Sequence, residues 1–402
     1  MDFEDTPEEA EFRAQVRDWL DKNAPRYPLG TRPTMEQSKA WQAVKAEAGY
    51  AAITWPKEYG GMGGKSMQNV IYGQEESKFN LPGALFIIGI GMALPTIMVH
   101  GRPDQKERYI RKGLYGEEIW CQLFSEPGAG SDLGGIRTRS EKDGDEWVVN
   151  GQKIWTSGAH YSDLGILVTR SDPTVAKHKG LTFFIVDMKT PGITVKRIKQ
   201  ISGESHFNEV FFENVRIPDE NRLGAVGDGW KVALTVLMNE RSAVGSIGVS
   251  VGTEELIDLA RETELIDGPA INNMAVRERI ADWHVQSQGL KYTRFRSLTA
   301  LSRGETPGPE NSISKAVSAP RRQDLAGFAA ELMDMGGIIR DPDLVPFAAG
   351  FQDNWLSSPG MRIAGGTDEV MRNIISERVL KLPGEIRVDK DLPFNELPTG
   401  AG

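Results

Sequence analysis

The sequence is poor in cysteine, because Cys121 is the only one among 402 residues. No intrachain disulfide can form, and a reducing compartment, which we expect to be the cytoplasm, is the natural setting for such a chain. The thiol lies in an apolar and aromatic stretch between Ile119 and Phe124, with no histidine close in sequence. This environment predicts a packed core residue, since a nucleophilic thiol needs a neighbouring base or positive charge.

Long apolar runs and basic clusters are also missing. The uncharged stretch 84–99 is shorter than the roughly 20 residues that a membrane-spanning helix needs, and Pro95 interrupts it. The N-terminus shows no signal-peptide pattern. The formal net charge is −9 and the basic residues are dispersed, which argues against nucleic acid as the main partner. The five histidines show no ligand spacing, so no metal site is expected.

Hydrophobic periodicity divides the chain into three domains and a tail. Residues 1–118 are predicted to form an α-helical domain, which begins with a capping box between Thr6 and Glu9. The period changes to two over 119–228, which predicts an antiparallel β-domain, and returns to a helical period over 229–382. The proline-containing tail, 383–402, is expected to wrap a surface. The predicted fold class is α+β multidomain, with a helical domain, a β-domain and a C-terminal four-helix bundle.

Three local predictions concern single elements. The pattern predicts one helix over 85–100 and one continuous helix over about 230–264. Strands 146–149 and 152–156 flank Asn150-Gly151, a dipeptide that favours a tight type I′ turn. We therefore expect a β-hairpin that turns at Asn150.

The most specific local signal is the segment Ser125-Glu126-Pro127-Gly128-Ala129-Gly130-Ser131-Asp132, which follows a short apolar strand. Its glycines allow backbone N–H groups to approach a ligand closely, and its serines add hydroxyl donors. It is neither a P-loop nor a dinucleotide-binding glycine pattern. Taken alone, the segment is compatible with a plain turn as well as with a binding site.

This segment resembles the flavin and acyl-CoA contact motif of the acyl-CoA dehydrogenases. Four further stretches continue the resemblance in the order and spacing of that family: 150–157, 207–212, 239–241 and 365–370. The resemblance runs from about Pro7 to Pro383. It implies an FAD-dependent oxidoreductase of lipid β-oxidation, which oxidises an acyl-CoA thioester between Cα and Cβ to the trans-2-enoyl-CoA.

The resemblance also implies roles for individual residues. Trp155 would lie against the flavin ring, and Ser157 would donate a hydrogen bond towards its N5/O4 edge. Ser131 and Arg241 would contact the acyl-CoA. The complete set expected to touch FAD is Gln122, Phe124, Ser125, Gly130, Ser131, Trp155, Ser157, Arg261, Gly336, Gly337, Thr367 and Glu369.

The catalytic base needs a separate argument, because an α-C–H beside a thioester is a very weak acid and requires a positioned carboxylate. Many members of the family carry this glutamate directly before the Gly-Thr of the C-terminal loop, where this sequence has Gly365. A second family arrangement places it on a long helix before an arginine, as in Glu240-Arg241. A carboxylate on that otherwise apolar helix is costly to bury unless it has a use or a partner. We therefore predict Glu240 as the base, while Gly365 offers its backbone N–H to the thioester carbonyl; an ion pair is the alternative role for Glu240.

The sequence departs from the family pattern where symmetric relatives bind the FAD of a neighbouring subunit. Glu264 and Leu265 replace Phe-Gly after Arg261, and Met333 replaces a glutamine before Gly336 and Gly337. The expected assembly is a homo-oligomer, dimer or tetramer, or a hetero-tetramer with a related chain. Similar departures in bacterial relatives suggest a bulky acyl group, and the family implies an electron-transferring flavoprotein as electron acceptor.

Two other functions remain open from the sequence. The same fold could carry a flavin monooxygenase or a nitroalkane-oxidase-like enzyme, neither of which uses CoA. The chain could also be a non-catalytic partner subunit of a two-protein dehydrogenase, although the presence of Glu240 argues against it.

Overall fold

The structure is a computed structural model that describes residues 5–27, 33–82, 84–244, 251–302, 308–309, 311–386, 389 and 391–397. The chain divides into two units. The larger unit comprises Gln15–Tyr27, Arg32–Ser246 and Glu385–Gly402, and the smaller unit comprises Met1–Ala14, Pro28–Thr31 and Ile247–Gly384. Within the described ranges, no helix is both long and apolar enough to cross a membrane.

The first helix begins as the sequence predicts. The Glu9 backbone N–H donates to Thr6 Oγ1 at 3.3 Å, and the Thr6 N–H donates to Glu9 Oε2 at 2.8 Å, which closes the predicted capping box. Four more helices precede the sheet. The helices of this region are α1 (Pro7–Asn23), α2 (Met35–Glu47), α3 (Ser66–Glu76), α4 (Leu94–His100) and α5 (Pro103–Leu114).

The prediction of one continuous helix over 85–100 is wrong, because the region consists of several short helical segments. A short 3₁₀ turn covers Ala84–Phe86, a π-helical turn follows over Gly89–Ala93, and α4 begins only at Leu94. The Leu94 N–H donates to the carbonyl of Gly89, five residues earlier. Pro95 has no N–H and cannot continue a regular α-helical bond pattern, so the backbone widens just before it.

Seven strands form one sheet in the larger unit. Its order is β1-β4-β2-β3-β7-β6, with β5 paired to β4; β1 and β2 run parallel to β4, and the remaining pairs are antiparallel. The strands are β1 (Trp120–Leu123), β2 (Arg139–Asp143), β3 (Glu146–Ser157), β4 (Leu164–Arg170), β5 (Leu181–Asp187), β6 (Ile193–Ile198) and β7 (Phe207–Pro218).

The hairpin predicted at Asn150 does not form, because β3 passes straight through Asn150 and Gly151. The turn lies earlier, between β2 and β3, where Asp143 is the register partner of Glu146 and Gly144 has φ +60°. At Gly151 a side chain would come within 2.6 Å of the Thr138 Cα, so the glycine permits a close approach of two backbones. The dipeptide therefore marks a bulge in the strand rather than a turn.

Each face of the sheet carries its own apolar core. Cys121 and Leu123 point into one core with Trp147 and Val210. The other core joins the sheet to the helices, through residues such as Ile166 of β4. Cys121 is fully buried with its Sγ 3.6 Å from the sulfur of Met188, which confirms the prediction of a packed core thiol.

The helix predicted over 230–264 is divided. Helix α6 (Gly229–Val244) belongs to the larger unit and α7 (Thr253–Glu262) to the smaller one, while residues 245–250 lie outside the described part. A short hairpin, β8 (Glu264–Leu265) and β9 (Gly268–Pro269), follows α7. The remaining helices are α8 (Met274–Ser302), α9 (Asn311–Leu332), α10 (Gly350–Met361) and α11 (Asp368–Ile374), and α11 runs into a π-helical turn over Ile375–Val379.

The described end of the C-terminal tail, 391–397, packs on the rest of the larger unit. Phe394 is buried, and the guanidinium of Arg170 lies 3.8 Å from its ring centroid. Two backbone bonds hold this segment, from Phe394 N to Val175 O and from Asn395 N to Pro173 O, both at 2.9 Å. The predicted order of helices, sheet and helices is confirmed, while the surface-wrapping course of the whole tail stays a prediction.

Candidate active site

The loop 125–132 follows directly from β1 and is closed by its own backbone. Glu126 and Ala129 exchange two backbone hydrogen bonds, at 2.9 and 3.0 Å. The Ile154 N–H donates to the Ser125 carbonyl at 2.9 Å, which ties the start of the loop to β3. Beyond this turn Gly130 and Ser131 are exposed, so they are accessible to a ligand.

A buried ion pair between Lys153 and Glu126 stabilises the loop 125–132. Lys153 of β3 is fully buried, and its Nζ donates to Glu126 Oε1 at 2.8 Å and to the Phe124 carbonyl at 2.9 Å. Glu126 also accepts the backbone N–H groups of Arg137 and Thr138, at 2.6 and 2.9 Å. Glu126 and Lys153 both lie within stretches that carry the family resemblance, but no role was predicted for either of them.

The environment of this ion pair shifts the pKa values of both Lys153 and Glu126. Burial lowers the pKa of Lys153 to about 8, against the opposing effect of the Glu126 charge. Burial alone would raise the pKa of Glu126, but the charge of Lys153 and the three donors keep it below its usual range. Phe124, whose carbonyl completes the network, is itself a buried core residue.

Trp155 is presented by an irregularity in β3. The register between β3 and β7 shifts between Lys153 and Thr156, and Trp155 adopts φ +59° at that point. Its side chain is 55% exposed and meets Phe207 edge-on, with the ring centroids 5.9 Å apart. A bulge of this kind re-aims a side chain out of the alternating pattern of a strand.

Buried Asn208 stabilises the bulge. Its Nδ2 donates to the Thr156 carbonyl at 2.8 Å, and its Oδ1 lies 3.0 Å from Nδ1 of His160. Ser157, the predicted partner of the flavin edge, is half-buried at the end of β3. Asn208 lies in the stretch 207–212, which carries part of the family resemblance, but no role was predicted for it.

Glu240 lies on α6 in the same unit as this loop. Val232 and Val236 are fully buried in the core that also contains Ile166 of β4, and Glu240 follows them at the same four-residue spacing. The carboxylate is half-buried, and Gln122 Nε2 of β1 donates to its Oε2 at 3.2 Å. Arg241 follows on α6, but its side chain lies outside the described residues.

The smaller unit contains the predicted residues of the C-terminal loop. Gly365 and Gly366 have φ +65° and +94°, a region that residues with a side chain rarely adopt. Thr367 caps α11 by accepting the Val370 N–H at 3.2 Å, Lys315 donates to the Gly366 carbonyl, and Glu369 is exposed. Position 365 thus supplies a backbone N–H and no carboxylate.

The other predicted FAD contacts of the smaller unit lie in two places. Arg261 near the end of α7 is exposed and pairs with Asp258 at 2.8 Å. Gly336 and Gly337 lie in a 3₁₀ turn, and a side chain at Gly337 would come within 2.0 Å of the Ala330 carbonyl oxygen. Buried Gln352 of α10, which the sequence analysis missed along with its helix, donates to the Gly336 carbonyl at 3.2 Å.

Family models match the chain along almost its whole length. The N-terminal, middle and C-terminal domains of acyl-CoA dehydrogenase match residues 6–117, 121–215 and 227–380. The chain therefore belongs to the acyl-CoA dehydrogenase family, a family of FAD-dependent oxidoreductases. The family, the fold class and the enzyme class predicted from the sequence are confirmed.

The most similar relatives include mycobacterial enzymes. Acyl-CoA dehydrogenase IpdE1 of Mycobacterium tuberculosis is 36% identical over 94% of this chain and 98% of its own length. Acyl-CoA dehydrogenase FadE34 of the same organism is 38% identical over 85% of this chain, which spans only 46% of that relative. Among these relatives, IpdE1 therefore gives the full-length comparison.

Solved structures show the same fold. The Tcur3481-Tcur3483 steroid ACAD has a TM-score of 0.80 and 25% identity, over 96% of this chain and 100% of that chain. The ChsE4-ChsE5 complex from Mycobacterium tuberculosis has a TM-score of 0.79 and 26% identity, also over 96% and 100%. Both structures are assemblies of two differently named chains.

Proposed function

We propose that the protein catalyses the FAD-dependent α,β-dehydrogenation of an acyl-CoA thioester, with Glu240 as the base. The observation that supports this most directly is a carboxylate on the apolar face of α6, half-buried and hydrogen-bonded to the strand that leads into the loop 125–132. A carboxylate in such a place is expected where it has a chemical task. Gly365 excludes the other family position for the base.

The residues of the larger unit fit a bound flavin. Trp155 offers an exposed indole at a bulge, and Gly130 and Ser131 offer small, exposed donors on a loop that is already held in shape. We assign FAD contacts in the larger unit to Gln122, Phe124, Ser125 and Ser157 as well, and FAD contacts in the smaller unit to Arg261, Gly336, Gly337, Thr367 and Glu369. FAD, when bound, supplies the acceptor for the hydride that leaves Cβ.

The protein groups then act on the thioester. Glu240 takes the proton from Cα on one of its carboxylate oxygens, and Gly365 donates its N–H to the thioester carbonyl, which makes the α-proton more acidic. Ser131 and Arg241 bind the acyl-CoA. The product is the trans-2-enoyl-CoA, and an electron-transferring flavoprotein is the proposed acceptor of the two electrons.

Replacement of Glu240 by glutamine tests this assignment. Glu240→Gln keeps the size of the side chain and its contact with Gln122, so FAD content and thermal stability should stay close to wild type. Thioester-dependent loss of flavin absorbance under anaerobic conditions should slow by about 10²- to 10⁴-fold. If the variant reduces its flavin at the wild-type rate, Glu240 is not the base; if the wild-type protein shows no response to any acyl-CoA, the reaction itself is wrong.

We also propose a bulky acyl group, such as a steroid ring system or its side chain, as the substrate class. Support comes from the structural neighbour described as a steroid ACAD and from the departures at 264–265 and 333–339. A panel of octanoyl-CoA, isobutyryl-CoA and a steroid-side-chain CoA, with a dye as acceptor, tests it. A higher kcat/KM for octanoyl-CoA than for the steroid thioester would contradict the proposal.

Assembly with a related chain is a connected proposal. Both structural neighbours named above pair two different chains, and the FAD-binding pattern of symmetric relatives is incomplete here. Flavin per chain, measured with oligomer mass, separates the possibilities. One FAD per chain in a homo-oligomer would contradict a mixed assembly, and a colourless chain that gains flavin only with a second protein would support it.

A further inference from the structure

We propose that Gln122 is a positioning residue for the base, and that its side-chain amide holds the Glu240 carboxylate in the orientation needed to take the α-proton. The inference rests on the proposed role of Glu240. It goes beyond the family resemblance, which placed Gln122 only at the border of the flavin. The observation behind it is the hydrogen bond from Gln122 Nε2 to Glu240 Oε2, at 3.2 Å and partly buried.

The position of Gln122 in β1 makes an amide there unusual. The other three residues of the strand, Trp120, Cys121 and Leu123, are buried and apolar or nearly so. Burying an amide without a partner costs about 1–3 kcal/mol, whereas an apolar side chain of similar size would pack without that cost. A glutamine at this position is therefore best explained by the polar group that it meets.

The register of the helix and the sheet brings the two side chains to one face. Gln122 is the register partner of Ile166 on β4, and Ile166 belongs to the core into which Val232 and Val236 of α6 pack. Glu240 continues that helical stripe by one more turn. Gln122 and Cys121 point to opposite faces of β1. Of these two residues, Gln122 is the one directed towards α6.

The chemistry of an amide suits this task better than a cation would. A lysine or arginine in contact would strongly favour the ionised carboxylate and so weaken it as a base. A glutamine N–H fixes the orientation with one hydrogen bond from an uncharged donor, and the amide neither gains nor loses a proton in the working range. Holding Oε2 restricts rotation of the carboxylate, which is what positioning towards Cα requires.

The primary test is Gln122→Met, which keeps the length of the side chain and removes the donor. We use the acyl-CoA from the panel above that reduces the wild-type flavin fastest, prepared with and without deuterium at Cα. FAD content and KM should stay within about twofold, while kcat falls about 10- to 100-fold, the effect of losing one hydrogen bond to a charged group. The α-deuterium isotope effect on flavin reduction should increase, because proton abstraction becomes slower.

A double-variant cycle separates positioning from a structural or flavin-binding role. If Gln122 acts through Glu240, then Gln122→Met should lower the rate of the wild-type protein but not the residual rate of Glu240→Gln. Cys121→Ala, on the opposite face of the same strand, is the matched control and should leave kcat and the isotope effect unchanged. An equal loss in both backgrounds, a loss explained by missing FAD, or an unchanged kcat in Gln122→Met would each overturn the proposal.

The outcome is distinguishable from a failure of the proposed function. If Glu240→Gln retains full activity, the base is elsewhere and Gln122 has nothing to position. If Glu240→Gln is inactive and Gln122→Met behaves as wild type, the base is right and the positioning role is wrong.

Discussion

The loops 125–132 and 364–367 both lie at proposed cofactor contacts, yet different forces hold them. The first rests on the buried pair of Glu126 and Lys153, with a backbone hydrogen bond from β3. The second depends on two left-handed glycines and on Lys315, which donates to the Gly366 carbonyl. The first loop is thus held by a pair of opposite charges, and the second by a single cation on a backbone carbonyl. The ion pair and the sheet fix the Glu126 carboxylate beside the first loop, whereas the left-handed backbone of the second loop costs a residue with a side chain about 1–2 kcal/mol.

The largest effect is expected from moving the carboxylate from one region to the other. In the double variant Glu240→Gln with Gly365→Glu, activity should remain about 10²- to 10⁴-fold below wild type. The reason is that φ +65° at position 365 strains a residue with a side chain, so the new glutamate would not adopt the orientation that catalysis needs.

Anaerobic flavin reduction and FAD content measure this outcome, with Gly365→Glu alone as the control. Recovery of the rate in the double variant, relative to Glu240→Gln, would show that the second loop can carry the base and would remove the distinction between the two regions.

The next effect concerns the support of the first loop. Lys153→Met removes one partner of a buried ion pair and leaves the Glu126 carboxylate with backbone donors only, which should cost about 3–5 kcal/mol and reduce bound flavin. Thermal unfolding and flavin per chain measure the two consequences. The variant Glu126→Gln with Lys153→Met removes both charges and should recover part of the stability. An equal loss of stability in Lys153→Met and in the double variant would mean that the ion pair does not hold the loop.

A smaller effect tests the second loop. Gly365→Ala should destabilise the protein by about 1 kcal/mol, since alanine at a positive φ carries that penalty. Gly289 is a matched control in the same unit, because it lies inside α8 and no atom of the described residues comes within 4 Å of an added Cβ. Gly289→Ala should therefore stabilise by about 0.5–1 kcal/mol. Shifts of the thermal midpoint in the same direction for both variants, relative to wild type, would contradict the backbone conformation assigned to Gly365.

The smallest effect is on Cys121, one residue before Gln122. Burial raises the pKa of its thiol to about 12, so the folded chain keeps the proton while the unfolded chain loses it above pH 9. The stability from the protonated thiol is complete below pH 9 and declines as the pH rises towards 12. Between pH 8 and 10 the thermal midpoint of wild type should fall more than that of Cys121→Ala. Rapid alkylation of the native protein by iodoacetamide at pH 8 would contradict the buried thiol.

The sequence by itself determined the order of helical, strand and helical regions, because periodicity depends only on which residues are apolar. It also determined the capping box at Thr6, the core position of Cys121 and the ordered motifs that place the chain in its family. Local rules failed where tertiary packing overrides them: Asn150-Gly151 became a bulge because Thr138 approaches closely, and Pro95 shifted the start of a helix.

Only the tertiary structure decided what each polar residue meets. Glu126 and Lys153 are 27 residues apart, and Gln122 and Glu240 are 118 residues apart, so no local pattern could reveal either contact. The sequence alone indicates that the Glu240 carboxylate, on an otherwise apolar helix, is costly to bury. Its partner Gln122 lies on β1. The cost of burying a polar group depends on its hydrogen-bond partner, and the tertiary fold determines which residue that partner is.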